Sequence, residues 1–306
     1  MQLNRRQFFT TSSAALAGLA AARVPAWAQA AQAPPATRFE ELRRGVGIFT
    51  GNGGTIGYLV NGDGAVAVDS QFMDTAKVCV EGLQGRTPRG LAMLINTHHH
   101  GDHTAGNPAF RPAVKRILAH ANCAAWHRKV AEQAGNAAEQ AFPDATFTDT
   151  WSEPFGDETI HLRYMGPGHT SGDAIVFFEK ANVVHGGDLL FRRVHPFIDR
   201  PAGAEIANWV RVLDEMAKGH GGDTIFVFGH GKDGVVRGTV SDVTYFRDYL
   251  AAVLEHATTG VQAGKSKEEV TAVTVLPGFD AVGQVSPRLS LASVLGVAYD
   301  EASARK

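Results

Sequence analysis

The segment Thr97-His98-His99-His100-Gly101-Asp102-His103, directly after the apolar run Leu91–Ile95, constrains this chain more than any other feature. Such a run reads as a buried strand. A strand that stops in a tight polar loop aims several side chains at one point beyond the sheet. His98 and His100 stand two apart, so in extended chain they face the same way and can serve one ion. Asp102 and His103 follow one turn later and can serve a second. Imidazole and carboxylate are the ligands zinc-like ions favour.

Three later segments supply partners. Gly166-Pro167-Gly168-His169-Thr170-Ser171-Gly172-Asp173 places a histidine in a Gly-rich loop after a predicted strand. Gly186-Gly187-Asp188 follows the strand-like run 182–184, and Gly229-His230-Gly231 follows 224–228. Each candidate sits where a strand ends and small residues permit close approach.

The remaining pattern interleaves strands and helices. Residues 54–60, 65–68 and 92–96 read as strands, the first two joined by the turn Asn61-Gly62-Asp63-Gly64. A helix is predicted over 73–83, ended by Gly85. Past the histidine-rich loop come a strand over 114–119 and a helix over 122–133, with Asn122 as cap. Strands follow at 159–165, 174–178 and 182–184. Ile206, Trp209, Val210, Leu213 and Met216 then recur at helical spacing, and Val243, Phe246, Leu250, Val253 and Leu254 mark another amphipathic helix. Two sheets packed face to face with helices outside each, a four-layer αββα form of the α/β class, is the layered solution to two such halves.

The first thirty residues read as an address. Arg5-Arg6 precede Phe8-Phe9 and an uncharged stretch from Thr10 to Ala22, followed by the small-x-small pattern Ala26-Trp27-Ala28. This is a signal peptide of twin-arginine type, which implies a periplasmic or secreted protein, soluble once the signal is removed. Residues 31–44, with Pro34-Pro35, read as a linker and N-terminal segment. Residues 45–257 form the main domain and 258–306 a C-terminal extension, in which Ser266-Lys267-Glu268-Glu269 starts a helix. The net charge of −2 offers no basic field for nucleic acid, so the expected partner is a small-molecule substrate. Cys79 and Cys123 are too few for a disulfide scaffold and are expected as buried thiols.

With these segments in order, residues 45–257 resemble the metallo-β-lactamase superfamily. The resemblance implies a first metal site of His98, His100 and His169 and a second of Asp102, His103 and His230, bridged by Asp188. It matches Asp69 to a carboxylate that steadies the histidine-rich loop from behind. Two ions are implied, zinc by default, with iron or manganese accepted by the same donors. They would lower the pKa of a shared water to roughly neutral and furnish hydroxide as nucleophile, with Asp102 and Asp188 as the catalytic carboxylates. In this family the loop after the bridging Asp borders the substrate cleft, which marks Phe191, Arg192, Arg193 and His195 as candidate substrate-binding residues.

Family branches divide at particular positions. True metallo-β-lactamases usually carry Cys or Ser where this chain has Asp188. Glyoxalase II enzymes share the Asp, but their basic glutathione-binding pattern is not evident here. Acyl-homoserine lactonases place a Tyr three residues later, where this chain has Phe191. The expected activity is hydrolysis of a small ester, thioester, lactone or lactam. A β-lactamase proper and an iron-dependent, persulfide-dioxygenase-like oxidoreductase are the alternatives. His99 is expected in structural hydrogen bonding. His127, His161, His220 and His256 are expected at the surface, and Trp126, Trp151 and Trp209 in the core.

Overall fold

The computed structural model describes residues 36–305, and the expected export signal at 1–30 lies outside them. The first sheet has seven strands in chain order: β1 (Arg38–Arg43), β2 (Val46–Thr50), β3 (Ile56–Asn61), β4 (Gly64–Val68), β5 (Leu91–Asn96), β6 (Arg116–His120) and β7 (Ala145–Phe147). Strands β1 to β4 pair antiparallel, and β4 to β7 pair parallel. Helix α1 (Met73–Gln84) makes the crossover from β4 to β5. Two short helices, α2 (Gly101–Thr104) and α3 (Asn107–Phe110), together with α4 (Ala121–Ala134), lie around β6 in sequence.

The second sheet contains β8 (Thr150–Phe155), β9 (Glu158–Arg163), β10 (Ile175–Phe178), β11 (Val183–His185), β13 (Ile225–Val227) and β15 (Arg237–Gly238), with β8 and β15 at its edges. A two-strand ribbon pairs β12 (Phe191–Arg192) with β14 (His230–Gly231). Helices α5 (Ile206–Lys218), α6 (Val240–Gln262), α7 (Lys267–Thr271) and α8 (Leu291–Ser303) complete the chain.

Period-two alternation sorts the strand residues into layers. Val66, Val68, Met93 and Ile95 face inward and meet Ile160, Leu162, Val176 and Val183 of the second sheet. Ala65, Ala67 and Leu94 face outward onto Ala76, Cys79 and Leu83 of α1. On the other side, Val184 and Phe226 pack under Trp209 and Leu213 of α5, Phe246 and Leu250 of α6, and Val294 and Leu295 of α8. The result is the αββα sandwich. Both cysteines are free and buried.

Two boundaries differ from the sequence expectation. Residues 38–43 are not linker but edge strand β1, where Phe39 packs on Phe49 with ring centroids 4.7 Å apart. Charged residues at four of its six positions, which suit an exposed edge, conceal the strand from a search for apolar runs. The helix expected to be capped by Asn122 is instead capped by His120, whose Nδ1 accepts from the Asn122 backbone N–H at 3.2 Å. Nor is the tail after residue 257 an appendage, because Leu291, Val294 and Ala298 join the α5–α6 core.

The parallel pairs decide where chemistry can gather. Strands β4 and β5 end at the same edge of the first sheet, and there the Asp69 N–H donates to Ile95 O at 2.7 Å. Strands β11 and β13 likewise run parallel, so the loops leading to Asp188 and His230 leave the second sheet together.

Candidate metal centre

His98, His100, His169 and Asp188 form one group of donor atoms that all lie within 4.8 Å of one another, and Asp102, His103 and His230 form another. His100 Nδ1 stands 3.1 Å from His98 Nε2 and 2.9 Å from His169 Nε2. Asp188 reaches both groups. Its Oδ2 is 3.6 Å from His169 Nε2 and 3.4 Å from His230 Nε2, while its Oδ1 is 3.1 Å from His103 Nε2. His230 Nε2 is 3.0 Å from Asp102 Oδ2. These separations bracket roughly 3.3 Å, the edge of a tetrahedron whose ligand bonds are about 2.05 Å.

Hydrogen bonds behind the rings settle which nitrogen faces inward. Asp69, fully buried, accepts from the Thr97 N–H at 2.7 Å, the Thr97 hydroxyl at 2.8 Å and His103 Nδ1–H at 2.7 Å. With the Thr97 hydroxyl proton so engaged, its oxygen accepts from His98 Nδ1–H at 3.1 Å. His169 Nδ1–H donates to Phe197 O at 2.8 Å, and His100 Nε2–H donates to Asp199 Oδ2 at 2.9 Å. The inward nitrogens of His98, His100 and His169 are therefore lone pairs converging without a proton between them. That arrangement fits a cation and repels itself without one.

The second group asks for positive charge as well. Burial opposes protonation of His103, yet Asp188, Asp102 and Asp69 hold it well above the usual imidazole range. His230, also opposed by burial, is raised to about 10 by Asp188 and Asp102. His103 Nε2 and Asp188 Oδ1 are buried, 3.1 Å apart and not aligned as a hydrogen bond. In the first group burial, with His103 beside it, pushes His98 well below its ordinary pKa, and burial with His100 takes His169 to about 3. Both are kept in the neutral form that binds metal.

Not every residue singled out in the sequence reaches the site. Phe191 does: its ring stacks on His230, with centroids 5.5 Å apart. Arg192 and Arg193 turn away and meet Asp242 of α6 at 3.4 and 3.7 Å, and Arg193 lies over the Tyr245 ring. His195 is buried against the Tyr249 hydroxyl at 2.7 Å. A carboxylate and two aromatic rings on α6, some fifty residues later, satisfy what looked like a free basic loop. His99 approaches Asp199 at 3.5 Å and packs beside Trp126, which is half-buried rather than core, as is Trp151. Trp209 is fully buried, and His127, expected at the surface, is buried against Phe142.

Asp199 was missed. It accepts from His100 Nε2–H and contacts His99, and these bonds hold its carboxyl below the usual range although burial opposes them. Nothing local signals this in Ile198-Asp199-Arg200, because the partner lies 99 residues earlier. Carboxylates behind metal-binding histidines typically contribute 10- to 100-fold in metal affinity or activity. Asp199→Ala is expected to weaken metal binding by about that factor, and Asp199→Asn, which keeps an acceptor oxygen, by less. Competition with a chromogenic chelator measures both, and unchanged affinity in the alanine variant would remove the orienting role.

The centre opens into a cleft of roughly 470 Å³. His100, Asp102, Asp188 and His230 line its floor, Phe72, Phe191 and Phe197 its apolar sides, and Ser286, Arg288 and Leu289 a further wall. This size suits a small molecule.

A family model described as the metallo-beta-lactamase superfamily matches residues 50–238. The chain belongs to the metallo-beta-lactamase superfamily. Among its relatives, the metallo-beta-lactamase type 2 of Bacillus cereus is 25% identical over 172 residues, 56% of this chain and 64% of that protein. The hydroxyacylglutathione hydrolase of Methylococcus capsulatus is 30% identical over 134 residues, 44% of this chain and 47% of its own length. The matches thus span less than two thirds of either relative. Among solved structures, the sec-alkylsulfatase of Pseudomonas sp. superposes with a TM-score of 0.70 at 15% identity, covering 86% of this chain and 50% of that one. A metallo-beta-lactamase from Pontibacter korlensis gives 0.59 at 17% identity, covering 71% and 99%. These superpositions carry the shared fold. The superfamily match stops at residue 238, short of the wall that contains Arg288.

Proposed function

We propose that this superfamily member is a hydrolase holding two divalent ions, zinc by preference, that cleaves a small ester, thioester, lactone or lactam. The observation that carries this is the convergence of His98, His100, His169 and Asp188 with Asp102, His103 and His230 at the floor of one open cleft. Bound there, a metal pair supplies Lewis acidity and lowers the pKa of water to near 7. The chain's own groups do the rest. Asp188 lies between the two donor groups with one oxygen turned to His103 and the other to His98, His169 and His230, so it sets the distance between them. Asp102 lines the cleft, where Oδ2 can accept a hydrogen bond from the attacking water. Burial with the neighbouring histidines keeps it ionised for that task, its pKa lowered to about 2 because His103 and His230 outweigh desolvation. Phe72, Phe191 and Phe197 shield the substrate from bulk water.

Lactone, thioester, p-nitrophenyl ester and chromogenic cephalosporin should be compared with a phosphodiester, with and without chelator. Chelator-sensitive turnover of an acyl substrate is the expected result, and the cephalosporin arm tests the activity named in the type 2 relatives. Preference for the phosphodiester would overturn the acyl assignment. Export to the periplasm through residues 1–30 belongs to the same proposal, and fractionation of cells carrying Arg5→Lys/Arg6→Lys tests it by the expected retention in the cytoplasm.

A further inference from the structure

The wall of the cleft that lies outside the superfamily match is a tight turn. Leu289 N–H donates to Ser286 O at 3.0 Å, with Pro287 pre-setting the backbone at the second position. The Ser290 hydroxyl donates to Pro287 O at 2.9 Å, which ties the turn to the start of α8. Its near end is anchored on the strand beside the site, where Gly283 N–H donates to Arg193 O at 2.9 Å and His195 N–H to Gly283 O at 3.2 Å. Between these anchors the turn presents Arg288 to the cleft.

Arg288 differs from the other cations nearby. Arg192 and Arg193 meet Asp242, and Arg200 meets Glu301. Among the described residues no carboxylate or carbonyl is paired with the Arg288 guanidinium, and the residue is exposed. A guanidinium held at the mouth of a substrate cleft without an internal partner keeps its planar fork for a ligand. A single fork matches a singly charged planar anion, whereas a phosphate dianion would call for more donors than this wall provides. Beside it, Phe72 and Phe197 leave 37% and 40% of their surface exposed at the cleft, a place for an apolar body.

We propose that Arg288 is the specificity-determining anchor of the cleft, pairing with a carboxylate that the substrate carries a few bonds from its scissile acyl group. The substrates are then small anionic acyl compounds with an apolar body, and the C-terminal turn, rather than the loop after Asp188, reads their charge. This rests on the hydrolase assignment above, so its test needs an arm independent of turnover.

Two esters of equal length separate charge from reactivity: mono-p-nitrophenyl glutarate carries the carboxylate and p-nitrophenyl valerate lacks it. The zinc-loaded wild type should prefer the glutarate ester. Arg288→Ala should lower kcat/KM for that ester by about tenfold, through KM with kcat nearly constant, and leave the valerate ester within about twofold. Arg288→Lys, which keeps the charge and loses the fork, should fall between them. Equal losses on both esters, or none on either, would overturn the proposal. The independent arm titrates phenylacetate into the protein and follows the Arg288 side-chain Nε–H resonance, assigned by its disappearance in Arg288→Lys. A saturable shift supports the anchor even if the wild type hydrolyses neither ester, which would count against the hydrolase assignment alone. No shift overturns the anchor whatever the turnover.

Discussion

Asp188→Ala is expected to reduce bound zinc from two ions per chain to one or none, and to lower kcat/KM on the best acyl substrate by about a thousandfold or more. The size follows from position. Asp188 is the one carboxylate whose two oxygens face both donor groups, so its loss removes a ligand from each. Its side chain is almost wholly buried, and no neighbouring carboxylate can swing into its place. Burial alone would raise its pKa, but His230 and His103 hold it well below the usual range, so it stays charged. Metal analysis and steady-state kinetics on the same preparation check the prediction, and retention of both ions with full activity would refute the bridging role.

The metal-free protein offers a second readout. Because Asp188 and Asp102 raise His230 to about 10 against burial, its charged form is favoured on folding. That contribution is fully present below the unfolded imidazole pKa of about 6.5 and is lost as pH rises through 10. Metal-free wild type should therefore lose stability across that window. Asp188→Ala should flatten the slope.

What could be read without coordinates was local. Strands β4 and β5 announce themselves because both their faces are buried, leaving continuous apolar runs, and the candidate ligands announce themselves because each follows such a run among glycines. What escaped depends on distant partners. Strand β1 is held by Phe39 against Phe49 and Tyr58 while its charged positions mask it, and β8 alternates polar residues along a sheet edge with Pro154 near its end. Asp199 acquires its role only through His100, and Arg288 only because the C-terminal turn crosses the cleft. Arg192, Arg193 and His195 mislead for the converse reason. Their sequence neighbourhood is that of a cleft loop, but Asp242 and Tyr249 of α6 claim them.

Gly229→Ala shows how little volume the centre can spare. The backbone at Gly229 has no left-handed φ, so alanine meets no conformational objection there. The obstacle is space alone. A Cβ on residue 229 would overlap Asp188 Oδ1 and stand 2.8 Å from the Gly187 carbonyl carbon. The backbone cannot retreat easily, because Gly229 N–H donates to Gly187 O at 2.9 Å and Gly229 O accepts from the Thr55 N–H and hydroxyl, both at 3.0 Å. The Asp188 carboxylate must therefore shift. Displacing a reacting constellation by about 1 Å can cost about a hundredfold in rate, while overpacking itself destabilises by about 1–3 kcal/mol. Gly229→Ala is thus expected to lower kcat/KM about a hundredfold with reduced zinc content, in a chain that still folds. Gly222→Ala, where an added Cβ meets nothing within 4 Å, should leave both unchanged. Equal behaviour of the two variants would mean that the loops carrying Asp188 and His230 yield independently. The pairing Phe191↔His230 in the β12–β14 ribbon makes a common displacement the expected outcome.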